Sequence, residues 1–164
     1  MQNLTDFAPW SQDFDDLRSK VVLVVERESV FGEFAWTMLL VKSIKLGNRV
    51  RIVSLNHSRA HFLNILRKYG LDLKELEASR LVQFFRIDST ESVDEGTWHR
   101  LCEFIVGNAD SNTAVCLDST DVLGLISPSQ QVSLRILADC CRLVYEAKVH
   151  YALYIILLEM CPHQ

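Results

Sequence analysis

Five short runs rich in Val, Ile, Leu and Phe recur along the chain: "VVLVVE" (21–26), "RVRIVSL" (49–55), "LVQFFRI" (81–87), "TAVCLD" (113–118) and "YALYIILLE" (151–159). Between them lie longer segments with helical spacing of apolar residues. Runs this short, β-branched and bounded by charge or turn residues read as buried strands. Strands alternating with helices define βαβ units, because parallel neighbours need a long crossover. The expected fold is therefore α/β, a mostly parallel five-stranded sheet flanked by helices. The near-continuous apolar character of the first, fourth and fifth runs predicts that these strands are central, covered on both faces.

The helical segments carry their own punctuation. The first, residues 31–46, stops before Gly47. The second has Phe62, Ile65, Leu66 and Tyr69 on one face, then Gly70 and Leu71, the pattern of a glycine C-cap with a trailing apolar contact. Trp98, Leu101, Cys102 and Ile105 mark a third. In the fourth, Ser127 stands at the N-cap, Pro128 at the first helical position and Gln130 completes a capping box. Its expected buried stripe is Leu134, Leu137, Ala138 and Cys141. Residues 1–19 read as an acidic lead-in with Phe7, Trp10 and Phe14 as isolated aromatics, and 20–164 as one domain.

At 164 residues, 49% apolar and 23% charged, the chain can bury a substantial core. Its apolar stretches fall well short of the ~20 residues that a helical membrane span requires. The N-terminus lacks the basic and apolar regions of a signal peptide. The five cysteines contain no CxxC pair, and four lie within apolar-periodic segments, so reduced core thiols are expected. Together these features predict a cytosolic protein, with the nucleus as a second compartment.

Functionally, the most informative stretch is "VVLVVERESVFGEFAW" (21–36). Its strand–turn–glycine–helix order is that of a P-loop, GxxxxGK[ST]. Aligned on Gly32, the motif places Arg27 at the first glycine, Glu33 at the lysine and Phe34 at the serine or threonine. A P-loop needs small residues so that backbone N–H groups can surround phosphate, a cation to meet it and a hydroxyl for Mg²⁺. Arg27 obstructs the turn, Glu33 repels phosphate and Phe34 offers no oxygen. Asp118, after the fourth run, stands at a Walker-B-like position. It is expected to face the N-terminus of the first helix if strands one and four are neighbours. Its functional reading is Mg²⁺ coordination; the competing one is a relic, or a turn cap with Ser119 and Thr120. No cofactor is expected.

Other constellations carry less. His57 and His61 are four apart and lack a third ligand nearby in sequence. His99 and Cys102 share a helix, but Cys102 lies on the apolar stripe. Ser54, Ser58 and Ser119 lack a nucleophile-elbow context, and "DFDD" (13–16) reads as solvation or a docking peptide. Charge says more. Residues 34–71 contain no acid but hold Lys42, Lys45, Arg49, Arg51, Arg59, Arg67 and Lys68, a local +7 within a chain of net −4. This asymmetry fits a nucleic-acid-facing edge, a positive face for an acidic partner, or simple solvation of two helices. Arg59, Arg67 and Lys68 are the candidate RNA-binding residues, expected to flank the stripe that Phe62, Ile65 and Leu66 bury.

With these features assembled, the chain resembles the non-catalytic branch of the RecA-type fold, and within it the family of Elongator complex protein 6. The similarity runs from about Lys20 to Met160. It is carried by "KVVLVVERESVFGEFAW", "VRIVSLNHSRAHFLNILRKYGLDL", "RLVQFFRIDS" and "TAVCLDSTDVL". The resemblance implies a non-enzymatic subunit, without Walker residues, that forms a RecA-like ring with Elongator complex proteins 4 and 5. Such a ring binds tRNA and supports modification of its wobble uridine. The chain departs from the pattern in ending after the fifth strand, where RecA-like domains add further strands or hairpins. Two other readings stand beside this one: a recombinase-paralogue scaffold in DNA repair, and a small α/β enzyme with an unrecognised site. The altered loop makes a direct prediction. Titration calorimetry with millimolar ATP or GTP and Mg²⁺ is expected to give no heat of binding. A micromolar dissociation constant, about −8 kcal/mol, would overturn the pseudo-ATPase reading.

Overall fold

A computed structural model describes residues 21–26, 32–87, 94–107, 112–118 and 153–158, with 135, 138, 139 and 142. Five strands, β1 (Val21–Glu26), β2 (Arg49–Ser54), β3 (Val82–Arg86), β4 (Thr113–Leu117) and β5 (Leu153–Leu158), form one sheet in the order β1-β5-β4-β2-β3. Every described pairing is parallel. Helices α1 (Gly32–Lys45), α2 (Arg59–Lys68), α3 (Leu73–Ala78) and α4 (Glu95–Val106) lie in the three crossovers between β1 and β4 in chain order.

The sheet order corrects one expectation. β4 and β5 are interior, but β1 lies at one edge of the described sheet and β5 separates it from β4. An apolar run reports that both faces of a strand are covered; it carries no information on lateral neighbours. Burial separates centre from edge more reliably. Every residue of β4 is buried, and β2 is buried from Val50 to Ser54, whereas β3, the opposite edge of the described sheet, exposes Gln83 and Arg86.

Side chains alternate across the sheet with period two. Val50, Ile52, Ala114, Cys116 and Val82 face a core with Trp36, Leu40, Phe62, Leu66 and Leu73, so α1, α2 and α3 cover this face. Trp36 and Phe84 both tilt against Phe62, at centroid distances of 5.5 and 5.3 Å. Leu40, Ile52, Phe62 and Leu66 are fully buried. Truncating any one of them to alanine is expected to cost roughly 2–5 kcal/mol. Cys116 belongs to this core as a free thiol, and burial pushes its pKa upward.

The opposite face carries α4, tied down by a charged residue. Arg51 of β2, only 6% exposed, donates to the carbonyls of Phe104 and Ile105 at 2.8 and 2.9 Å and to that of Gly107. These are carbonyls of the last turn of α4 and its cap, where a cation also complements the helix dipole. Its guanidinium also lies 6.0 Å from the centroid of the Phe104 ring. Arg51 is thus a core residue and contributes nothing to a positive surface. At Gly107 a Cβ would come within 2.5 Å of the Glu103 carbonyl, so glycine is required for this close turn.

Glycine closes the first two helices. In α2, Gly70 N–H donates to Arg67 O and Leu71 N–H to Leu66 O, the paired bonds of a Schellman cap. Gly47 closes α1 in the same way, with φ 78° against 73° at Gly70. The apolar spacing of the sequence does not reveal α3. Its start signal, Asp72 accepting from Lys74 N–H at 2.8 Å with Glu75 in the first turn, is a capping pattern on a helix of six residues, too short to show periodicity. Further along, Asp94 caps α4 by accepting from Thr97 N–H at 2.7 Å, which holds its carboxyl below the ordinary range. This cap therefore stabilises α4 above the usual aspartate range and is lost as pH falls through the lowered value.

The Ser127 N-cap and most of the fourth predicted helix lie outside the described residues. Arg135, Ala138, Asp139 and Arg142 are helical, and Asp139 pairs with Arg142 at 3.5 Å and Arg135 at 4.0 Å. Ala138 is exposed rather than part of a buried stripe. No helix among the described residues is long and apolar enough to cross a membrane.

The cap of α3 lacks the glycine. Its left-handed position is Arg80, with φ 58°. A side chain there costs about 1–2 kcal/mol in backbone strain, partly offset by the lower unfolded-state entropy of arginine relative to glycine. Arg80→Gly is expected to raise stability by roughly 0.5–1 kcal/mol, measurable as a shift in urea midpoint at unchanged slope.

Candidate functional site

The residues singled out by the sequence do not converge on one pocket. Arg27 lies outside the described residues. Gly32 opens α1 and Glu33 is its second residue, so a helix follows β1 in the chain, and residues 27–31 between them lie outside the described residues. Phe34, the third residue of α1, is 43% exposed, a large apolar ring at the position where a hydroxyl would meet Mg²⁺.

Asp118 does not face the N-terminus of α1, which corrects the sequence expectation. β4 has β2 and β5 as neighbours, so its end meets the turn that leaves β2. The carboxylate is fully buried there. Oδ1 accepts from Leu55 N–H at 2.7 Å and Asn56 N–H at 3.2 Å, and Oδ2 from His57 N–H at 2.9 Å. Ser54 Oγ stands 3.2 Å from Oδ2 and also donates to the His57 carbonyl. The backbone continues the join, with Asp118 N–H donating to Val53 O at 3.2 Å. Asp118 therefore caps a turn, but that of a neighbouring strand instead of its own. Three successive backbone donors engage both oxygens, so this arrangement does not present Asp118 as a metal ligand.

The same turn organises the two histidines. His57 Nδ1 lies 3.3 Å from Asp118 Oδ2, and the His57 ring stacks on His61 at 4.2 Å with 21° between planes. Phe62 meets both rings edge-on. Among the described residues, no group of three or more His, Cys, Asp or Glu is placed to hold a metal ion. Sequence reasoning missed the His57–Asp118 and Ser54–Asp118 contacts, which span more than 60 residues. The available signal was a polar residue at the carboxyl end of each strand, Ser54 after Ile52 and Val53, and Asp118 after Cys116 and Leu117. His99 pairs with Glu103 at 3.6 Å on the exposed side of α4, and Cys102 is partly buried, its thiol pushed up by burial and by Asp139.

The three basic candidates differ in their surroundings. All are exposed, as expected. Arg59 forms a two-pronged pair with Glu77 of α3, through Nε at 2.9 Å and Nη2. These bonds hold the Glu77 carboxyl below its usual range, against an opposing effect of burial, and raise Arg59. Arg67 and Lys68 occupy the last turn of α2, at the negative end of its dipole.

No family model and no curated protein matches the sequence. Solved structures do match. An uncharacterized protein from Pyrococcus horikoshii, in complex with an unknown peptide, superposes with a TM-score of 0.66 at 13% identity, over 87% of this chain and 69% of that one. A KaiC-like protein from the same archaeon gives 0.66 at 14% identity, over 88% and 68%. The class defined by fold and topology is thus a RecA-like α/β domain. At these identities the likeness establishes the fold alone.

The geometry at Asp118 is testable. Asp118→Asn replaces one accepting oxygen with an amide donor that faces backbone N–H groups. Loss of a charge-assisted acceptor from a buried site is expected to cost about 2–3 kcal/mol, read from urea denaturation. A cost below about 0.5 kcal/mol, the usual range of a surface change, would show that the turn does not depend on this carboxylate.

Proposed function

We propose that this chain is a non-catalytic subunit of a RecA-like assembly, specifically of Elongator, in a ring with Elongator complex proteins 4 and 5 that supports wobble-uridine modification of tRNA. The observation that carries the reading is the state of Asp118. The acid at the Walker-B-like position is engaged by the turn after β2. Glu33 and Phe34 stand where a P-loop has its lysine and hydroxyl. A RecA-like domain with this chemistry retains its sheet and helices, because the core described above holds them without any ligand. What remains useful is shape: a rigid domain whose loop edge is free to evolve as a protein contact.

Two observations favour an interaction role over an enzymatic one. Phe34 exposes an apolar ring at the loop edge. One structural neighbour was solved in complex with an unknown peptide, so polypeptide recognition occurs on a related fold. The tRNA part of the proposal rests on the positive charge between residues 34 and 71, now reduced by the burial of Arg51 and the pairing of Arg59. Of the three named candidates, Arg67 and Lys68 are the two not joined to Glu77.

Affinity purification of the full chain from its native cell, followed by mass spectrometry, tests the assembly. Recovery of the other Elongator subunits is expected; recombination mediators in their place would favour a DNA-repair scaffold. For RNA, Arg67→Glu with Lys68→Glu is expected to leave the ring assembled and to weaken tRNA binding. The salt slope should fall by roughly 1 for each phosphate that is no longer neutralised. Unchanged tRNA affinity with failed assembly would reassign these side chains to a protein interface.

A further inference from the structure

We infer that the turn following β2 is an oxyanion-binding site, and that Asp118 occupies it as an internal ligand. The inference rests on three features, of which the second and third are the two sides of the same hydrogen bonds, and does not depend on membership in any ring.

The first is topological. From β2 the chain leaves through α2 and α3 toward β3, on one side of β2 in the sheet order. From β4 it leaves in the opposite direction, toward β5. β2 and β4 are adjacent, so the carboxyl ends of these two strands flank a topological switch point, the place where open α/β sheets receive their ligands. Here the two strand ends carry Ser54 to His57 after β2 and Asp118 after β4.

The second is the donor set. Leu55, Asn56 and His57 direct three consecutive backbone N–H groups at one carboxylate, at 2.7, 3.2 and 2.9 Å. Successive N–H groups converging on one point form a concavity that selects anions. Ser54 Oγ at 3.2 Å and His57 Nδ1 at 3.3 Å from the same Oδ2 add two further polar atoms. The titratable or charged groups bordering the turn are Asp118 itself, His57, His61 stacked on it and Arg59, whose guanidinium is directed to Glu77.

The third is the occupant. A fully buried carboxylate is seated in the concavity and meets its donors through both oxygens. The chemistry recognised is therefore a small oxyanion of carboxylate size and charge. In the intact chain the site is satisfied from within and closed to external anions. Substituting Asp118 should reopen it.

Complementary truncation provides the test. Asp118→Ala leaves space for formate, which restores the missing carboxylate; Asp118→Gly leaves space for acetate. Thermal unfolding of the full chain is measured in sodium formate, acetate, phosphate and chloride at constant ionic strength. Asp118→Ala is expected to show a saturable rise in midpoint with formate, and Asp118→Gly with acetate, over chloride. The intact chain and Asp118→Asn, whose amide fills the volume, should show neither. In ¹⁵N-labelled Asp118→Ala, the amide resonances of Leu55, Asn56 and His57 should move with formate at the same half-saturation. Where a truncated variant does not fold in chloride, refolding yield in formate or acetate replaces the midpoint. Failure in all the anions counts against the site, as does equal stabilisation of the intact chain.

Discussion

A single buried carboxylate ties together the open end of this sheet. Asp118 ends β4, yet its hydrogen bonds go to the turn after β2. Without that acceptor, three backbone N–H groups would lose their partner, and a buried donor left unsatisfied costs about 1–3 kcal/mol. Satisfying them in one place fixes where β2 ends, where Ser58 caps α2 and how His57 and His61 come to stack. The helix that carries Phe62 and Leu66 into the core therefore starts from a position set by a residue from β4.

Arg51 performs the corresponding task on the other face. Its guanidinium reaches the carbonyls at the end of α4, which would otherwise be open acceptors beside an apolar sheet. One strand thus positions helices on both sides: Val50 and Ile52 by apolar packing, Arg51 by directional bonds. The two polar anchors, Asp118 and Arg51, are of opposite charge and belong to the same central pair of strands. Both are paired with backbone groups, the cheapest way to bury a charge without a second mobile side chain to order.

The described part of this RecA-like fold is held by its apolar layers and by these two anchors. The acid near the strand ends need not be an idle remnant: here it is a structural ligand. Charge that looks available in sequence is likewise committed, with Arg51 buried and Arg59 joined to Glu77. The apparent +7 of residues 34–71 is a smaller surface charge in the folded protein.

The sequence by itself determined the class of fold, since apolar runs alternating with helical stripes admit few solutions besides a parallel α/β sheet. It also located the glycine cap of α2, because left-handed backbone there leaves a composition signal at Gly70 and Leu71. Equally legible was the residue content of the P-loop-like stretch, with Glu33 and Phe34 where that motif has a lysine and a hydroxyl. Lateral strand order was not. The apolar runs of β1 and β4 look alike in sequence, and only hydrogen-bond pairing places β5 between them. The role of Asp118 followed from that order, because a carboxylate acts on whatever lies within about 3 Å, and tertiary structure alone brought the β2 turn to it. Arg51 and Arg67 carry the same charge; the strand face of one and the helix end of the other decided that one is core and one is surface.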